Sequence, residues 1–247
     1  MTDCRWWIDA ATDGPTNMAI DEALAEQAAH GSRATWRFYG WSNATLSLGY
    51  FQRYDERAGH APSADCAVVR RPSGGGAIVH DREITYCLAL PIGHSWARHR
   101  RTLYMRAHAA LVEALAALGV AARCNPAAAP GKPRDQPFLC FQRRAEGDVL
   151  VEGHKIAGSA QRRTRGAILQ HGSVLLARSA AAAELPGIND LVARPIDPTE
   201  LRKRWLACLD KALPGRWIAD ALGDDERRRA SELAEQKYGS DTWTRRT

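Results

Sequence analysis

Two arginines, a serine and three glycines lie together at Arg70-Arg71-Pro72-Ser73-Gly74-Gly75-Gly76, with His80 and Asp81 close behind. Apolar runs flank the group, so it reads as strand, tight glycine loop, strand. Glycine tolerates positive φ and lets backbone N–H groups approach a ligand with no side chain between. With two guanidiniums alongside, such a loop suits an anionic or carbonyl-bearing small molecule. A hairpin turn that merely requires glycine fits the triplet as well. Neighbouring side chains on a strand point to opposite faces, so at most one of Arg70 and Arg71 faces a ligand. His80 ends its strand beside Asp81, a place where histidine more often serves as a hydrogen-bonded structural residue than as a catalyst.

The other residues able to do chemistry are scattered. Cys4, Cys66, Cys87, Cys124, Cys140 and Cys208 form no Cys-x-x-Cys pair, so no structural zinc site is expected and no metal is assigned. In a reducing compartment they are expected to be free thiols, mostly small core residues, with room for one nucleophile. Lys155-Ile156-Ala157-Gly158-Ser159-Ala160-Gln161 and His171-Gly172-Ser173 place a lysine and a second histidine on apolar segments.

The elements that must position these residues follow in chain order. A short strand at Trp6–Asp9 precedes a helix opened by Asp13-Gly14-Pro15-Thr16, with Asp13 or Thr16 as cap and Gly31 as stop. Residues 35–39 and 45–50 read as two strands joined into a hairpin. Gln52, just beyond, either reaches a ligand or caps the next turn. The alternation of Ile84, Tyr86, Leu88 and Leu90 with Thr85, Cys87 and Ala89 is that of a strand. Leu103, Ala107, Leu111, Leu115 and Leu118 give a core-facing helix ended by Gly119. Asn125–Pro137 holds prolines at 126, 130, 133 and 137 and reads as a long loop. Strands at 148–151, 155–161 and 167–176 follow, the first two joined by a Glu152-Gly153 turn. Beyond Leu176 helices are expected, one opened by Asp197-Pro198 and a last one capped by Asp224 or Asp225. The fold class expected is α+β, a mixed and largely antiparallel sheet flanked by helices. The chain reads as one catalytic domain over 1–247, with a helical part from about 180.

With 247 residues, 45% hydrophobic and 25% charged, the chain has the make-up of an ordinary globular protein. It shows no apolar stretch long enough for a membrane span and no signal core at Met1–Trp7, so a cytoplasmic location is expected. A net charge of +6 and a pI near 9.2 allow either a nucleic-acid partner or an acidic protein partner.

Five segments in order resemble the lipoate branch of the biotin/lipoate protein ligase superfamily. Asn17-Met18-Ala19-Ile20-Asp21-Glu22 is similar to its first helix, and Arg37 to Trp41 with Leu48 to Gln52 to its first hairpin. The stretch 70–81 resembles its ligand loop. Lys155–Gln161 with His171-Gly172-Ser173 resembles its lysine strand and partner, and Lys237-Tyr238 through Trp243 its tail. One glycine triplet is a weak signal; five ordered segments spanning 17 to 243 are a strong one.

The superfamily runs two chemistries. Its ligases activate free lipoate with ATP and magnesium; its octanoyltransferases take octanoyl from an acyl carrier protein, hold it on a cysteine, and use no cofactor. Both deliver to a lysine of a lipoyl-domain protein, such as the glycine cleavage H protein or a 2-oxoacid dehydrogenase E2 subunit. Cys140, fifteen residues before Lys155 at the end of the Pro-rich loop, resembles the LipM-type octanoyltransferases, as does Val151-Glu152-Gly153-His154-Lys155. The resemblance implies Cys140 as nucleophile and Lys155 as its partner. It implies substrate contacts from Arg70, Arg71, Ser73, Gly74, Gly75, Gly76, His80, Gly158, Ser159, Ala160, His171 and Gly172, with neither nucleic acid nor membrane as partner. From residue type alone, Cys140 between Leu139 and Phe141 reads equally as an inert buried thiol and Lys155 as a solvated hairpin residue. Only about seventy residues follow Leu176, where many ligases carry or require an accessory domain. Gly76 points the other way, because the LipM-like type more often has a larger basic residue there. The ATP-dependent ligase therefore stands as the alternative, and a non-catalytic nucleic-acid-binding protein as a remote one.

Overall fold

The computed structural model describes residues 3–31, 33–127 and 136–246. Most of the expected Pro-rich loop thus lies outside the described residues. In chain order the elements are β1 (Asp3–Ile8), α1 (Gly14–His30), β2 (Ala34–Tyr39), β3 (Thr45–Leu48), β4 (Ala67–Arg70), β5 (Ile78–His80) and β6 (Glu83–Pro91). Then come α2 (Arg100–Ala116), β7 (Ala122–Cys124), β8 (Val149–Val151), β9 (His154–Arg163), β10 (Ala167–Leu175), α3 (Pro198–Ala212), β11 (Arg216–Ala219), α4 (Asp224–Leu233) and α5 (Asp241–Thr244). The local reasons are those read from the sequence. The Asp13 carboxylate accepts the Thr16 N–H at the start of α1, and Asp197 caps α3 through Thr199 and Glu200. Gly119, past the end of α2, takes φ 79°.

Eight strands form one sheet in the order β11-β1-β2-β6-β10-β9-β8-β7. β1 runs parallel to β2 and β11; every other pairing in this sheet is antiparallel. The α+β class with a largely antiparallel sheet is therefore the observed one. All nine residues of β6 are buried, because both faces of the sheet are covered. Ile84, Tyr86, Leu88 and Leu90 join Trp36, Phe38 and the apolar faces of α2 and α3. Cys87 and Ala89 join α1 and α4 on the other face. Trp36 stacks on Tyr86 at 4.5 Å and meets Trp205 edge-on at 5.6 Å, pairs worth about 0.5–1.5 kcal/mol each beyond area burial.

Four expectations need correction. Residues 35–39 and 45–50 do not pair as a hairpin. β2 lies in the large sheet, whereas β3 is the centre of a separate three-stranded sheet, order β4-β3-β5. Trp41 causes the parting: its indole donates to the Thr85 hydroxyl at 2.8 Å and stacks on His80 at 3.9 Å, drawing the chain into the seam between sheets. The glycine stretch is likewise no hairpin turn. β4 is parallel and β5 antiparallel to β3, so the glycines cross the end of β3. Beyond Leu176 the chain is not helical alone, since β11 extends the large sheet beside β1. Gly223, rather than Asp224 or Asp225, caps α4, with Glu226 accepting its N–H.

Between the large sheet and α2 runs a directed chain of hydrogen bonds. Gln161 donates to Gln170, Gln170 to the Tyr86 hydroxyl, Tyr86 to Ser159, Ser159 to His108 Nε2, and His108 Nδ1 to the Gly147 carbonyl. A carbonyl can only accept, which fixes every proton in the chain. Burial pushes the His108 imidazole down to about 4, so it is neutral at pH 7. The unfolded chain then binds the extra proton between pH 6.5 and 4, and stability falls as pH falls through that window. Chemical denaturation is expected to show a loss of about 2 kcal/mol from His108 between pH 7 and 5. His108→Asn should flatten that slope; an unchanged slope would remove His108 as its source.

Candidate active site

The glycine loop is built against β3. The Ser73 carbonyl accepts the Tyr50 N–H at 2.8 Å, and the Arg71 N–H donates to the Leu48 carbonyl at 3.0 Å. A side chain at Gly49 would run into the Gly75 carbonyl, so the approach is open only to glycine. Gly75 has φ 97°, a conformation that L side chains rarely adopt. Inside the loop, Arg71 Nη1 donates to the Ser47 carbonyl at 2.9 Å and Nη2 to the Gly74 and Gly76 carbonyls. Its Nε–H is buried without a partner, and burial lowers the guanidinium to about 10. Arg71 lines the pocket.

Arg70 points the other way, as the alternation of a strand requires. Its guanidinium is fully buried and donates to the carbonyls of Gly49, Tyr50, Gln52, Trp243, Thr244 and Arg246. The Trp243 indole returns a bond to the Arg70 carbonyl. The expectation that Arg70 meets substrate is corrected: it fastens the C-terminal tail to the turn after β3.

The segment carrying Cys140 is tied to the glycine loop by backbone. The Ala77 N–H donates to the Phe138 carbonyl at 3.0 Å, and the Cys140 N–H to the Ala77 carbonyl at 2.7 Å. Ala77 and Leu139 form an isolated parallel bridge. Cys140 thereby opens a single 3₁₀ turn through Gln142, half-buried, on the pocket wall. A methyl on Gly75 would lie 3.9 Å from its sulfur.

Lys155 arrives from the opposite side. The Glu152-Gly153 turn takes φ 47° and 78°, and β9 then carries Lys155 back toward the pocket. Its Nζ lies 4.0 Å from Cys140 Sγ and donates to the Cys140 carbonyl at 3.3 Å. Gly158 leaves the lane for this side chain; a methyl there would sit 2.6 Å from Lys155 Cε and 2.9 Å from Nζ. A thiolate at Cys140 would face two cations, Lys155 and Arg71. The other thiols offer no such setting: burial pushes Cys4, Cys66, Cys87, Cys124 and Cys208 up, away from the reactive thiolate form.

The two histidines are riveted in place. His171 Nδ1 donates to Asp21 at 2.9 Å and Nε2 accepts from the Ser73 hydroxyl at 2.5 Å. His80 Nδ1 donates to Glu83 at 2.6 Å and Nε2 accepts from Ser47 at 2.7 Å. Each string joins a serine of the small sheet's side to a carboxylate behind it. Both rings line the pocket, but neither keeps a nitrogen free for proton transfer, and the two serine hydroxyls lie outside the lining. Of the remaining expected contacts, Gly74, Gly75, Gly158, Ser159, Ala160 and Gly172 line the pocket. Ser159 does so through its backbone, since its hydroxyl is committed to His108 on the far face. A side chain at Gly172 would collide with the Ser159 side chain, so Gly172 keeps that hydroxyl's place open. Gly76 faces Arg143: a methyl there would lie 2.8 Å from the guanidinium carbon.

Sequence reasoning passed over the pocket's apolar wall, Met18, Tyr39, Ile78 and Phe141. Its signal was the placement of Met18 one residue from Asn17 and three from Asp21, on the helix face now seen to look inward. Asp148, 2.9 Å from Lys155 Nζ, was also passed over, as the first residue of an expected strand.

A methyl at Gly158 would press on the end of the Lys155 side chain and, at 3.1 Å, on Asp148 Oδ1, so Gly158→Ala is expected to fold with a lowered melting temperature. Displacing Lys155 from Cys140 should also cost about 10–100-fold in turnover. Steady-state kinetics beside a thermal melt check this, and wild-type turnover would refute the packing role assigned to Gly158.

A sequence profile of the lipoyl protein ligase A/B catalytic domain matches residues 13–195. Octanoyltransferase LipM of Anoxybacillus flavithermus is 32% identical over 267 residues, covering 96% of both chains. Octanoyltransferase LipM of Symbiobacterium thermophilum is 34% identical over 272 residues, covering 94% of each. Among solved structures, a putative lipoate protein ligase from T. acidophilum with bound lipoic acid superposes with a TM-score of 0.80 at 21% identity. It covers 99% of this chain and 100% of that one, and at such identity it speaks for the fold. The chain belongs to the lipoyl protein ligase A/B catalytic-domain family.

Proposed function

We propose that this protein is an octanoyltransferase of lipoate biosynthesis, moving octanoyl from acyl carrier protein to a lysine of a lipoyl-domain protein through a thioester on Cys140. The observation that carries the reading is the placement of Cys140 Sγ 4.0 Å from Lys155 Nζ, in the pocket wall beside Gly75. The full-length relatives named octanoyltransferase support the same activity.

In the first half-reaction the Cys140 thiolate attacks the carrier-bound thioester carbonyl. The carbonyl oxygen becomes an oxyanion, held by backbone N–H groups of the glycine loop or of the Gly158-Ser159 segment. The bond to the carrier sulfur breaks, and the proton given up by Cys140 ends on the departing thiol. In the second, a neutral acceptor lysine attacks the acyl-enzyme, the bond to Cys140 breaks, and the amine's proton returns to the Cys140 sulfur. Lys155 stabilises the thiolate in both halves and relays the proton. The thioester carries its own activation, so the scheme calls for no ATP. Met18, Tyr39, Ile78 and Phe141 offer the chain apolar walls. Burying its methylene-scale groups at ~0.8 kcal/mol each supplies about 5–6 kcal/mol in total. Both substrates are protein-borne and meet the enzyme in the cytoplasm; among the described residues no helix is long and apolar enough to cross a membrane.

Gly76 was the feature favouring the ligase. The space beside it is filled by a basic group all the same, the Arg143 guanidinium, held by the Pro137 carbonyl and Gln136.

Intact mass after mixing with octanoyl-acyl carrier protein, without ATP, is expected to show one acyl adduct that Cys140→Ala abolishes. An adduct surviving that substitution, or acyl transfer from free lipoate that requires ATP and ignores Cys140→Ala, would overturn the assignment.

A further inference from the structure

Lys155 is gripped from behind by a carboxylate that belongs to none of the motifs. The Asp148 side chain is 1% exposed and its Oδ2 lies 2.9 Å from Lys155 Nζ. The same carboxylate accepts the Ala145 N–H at 2.6 Å and, through Oδ1, the Tyr104 hydroxyl of α2 at 2.8 Å. It is therefore fixed from two directions before Lys155 reaches it. An ammonium has three N–H groups. At Lys155 one meets Asp148, one the Cys140 carbonyl, and the third is left for the Cys140 sulfur at 4.0 Å.

Folding energetics do not account for the pair. A buried lysine–aspartate bridge forfeits the hydration of both ions, and well-packed apolar residues in its place are often as stable or more so. The arrangement is better explained by what it does to the third N–H.

We propose that Asp148 is a positioning residue for acyl transfer, holding the Lys155 ammonium charged and aimed at Cys140, a role that rests on the Cys140–Lys155 reading above. The surroundings leave this pairing undiluted. His108, packed on Tyr104 from α2, is neutral at working pH because burial pushes it down. Tyr104 is held in its phenol form by burial and by Asp148 itself. The Phe141 ring lies 5.3 Å from Nζ, and Arg71, on the glycine loop, is the other cation facing Cys140. Without Asp148 the Lys155 site would keep its cost of desolvation and lose its counter-charge, so the ammonium would give up its proton or leave for solvent. Either outcome removes the cation from Cys140.

The test is a double-substitution cycle on the full chain, read by the pH profile of Cys140 alkylation with iodoacetamide, followed on the Cys140 peptide by mass. Asp148→Asn is expected to slow alkylation near pH 7 about 10–100-fold and move the profile to higher pH, with Asp148→Glu restoring much of the rate. Tyr104→Phe, which removes a different bond to the same carboxylate, should stay within about twofold of wild type. In a Lys155→Gln background, Asp148→Asn should change nothing further, since its effect passes through the lysine. The protein carrying both Lys155→Gln and Asp148→Asn also leaves no lone buried charge, so it keeps the cycle readable if Asp148→Asn alone fails to fold. A wild-type profile in folded Asp148→Asn, or an added loss in the Lys155→Gln background, would overturn the proposal. A Lys155→Gln protein with the wild-type profile would instead overturn the Cys140–Lys155 reading beneath it.

Discussion

Two backbone hydrogen bonds, between Ala77 and the Phe138–Cys140 segment, hold the pocket together. The glycine loop and the cysteine segment are separated by more than sixty residues of chain, including the whole of β6 and α2. Their one-residue bridge, Ala77 to Leu139, places the sulfur against Gly75 and buries Leu139 in the small sheet's apolar cluster with Leu46, Leu48 and Val79. Every distance in the proposed catalytic pair is measured from a sulfur whose position this bridge sets.

The bridge is useful because what it leans on cannot shift. The small sheet is locked to its surroundings by two strings, Ser47–His80–Glu83 and Ser73–His171–Asp21. Their atoms are those of a hydrolase triad, but their serines are buried and do not line the cavity. The geometry serves rigidity: an imidazole hydrogen-bonded through both ring nitrogens fixes both neighbours at once. Asp21 binds three partners, accepting from Arg37, Tyr39 and His171. This buried polar seam positions the glycine loop as backbone packing alone would not.

Much of this was legible in the sequence. The alternation across Ile84 to Leu90 and the spacing Leu103 to Leu115 gave the central strand and its covering helix, because each presents its large apolar residues to the same core at the period of its own backbone. The glycine triplet marked the pocket, because close backbone approach leaves glycine as its trace. What could not be read were relations set by a single side chain in three dimensions. Trp41 sends the chain from one sheet to the other, and no local pattern distinguishes that from a hairpin turn. Arg70 and Arg71 are adjacent and alike; strand alternation says that they part, but only packing says which one turns inward. β11 is four residues long and half-exposed, so it carries no alternation strong enough to stand out among helices. Asp148 sits at the edge of a strand and looked like any polar residue entering one.

The contact between Gly76 and Arg143 has a consequence for how such chains are told apart. The volume beside residue 76 is filled here by a guanidinium reaching over from the cysteine segment, and it is bounded by the Phe138 carbonyl, 2.9 Å from where a methyl would sit. A side chain at 76 and a long cation at 143 would thus compete for the same space. The two positions should vary together across relatives, as a single trait written at two addresses. Reading position 76 alone, without asking what stands at 143, would sort this chain with the wrong chemistry.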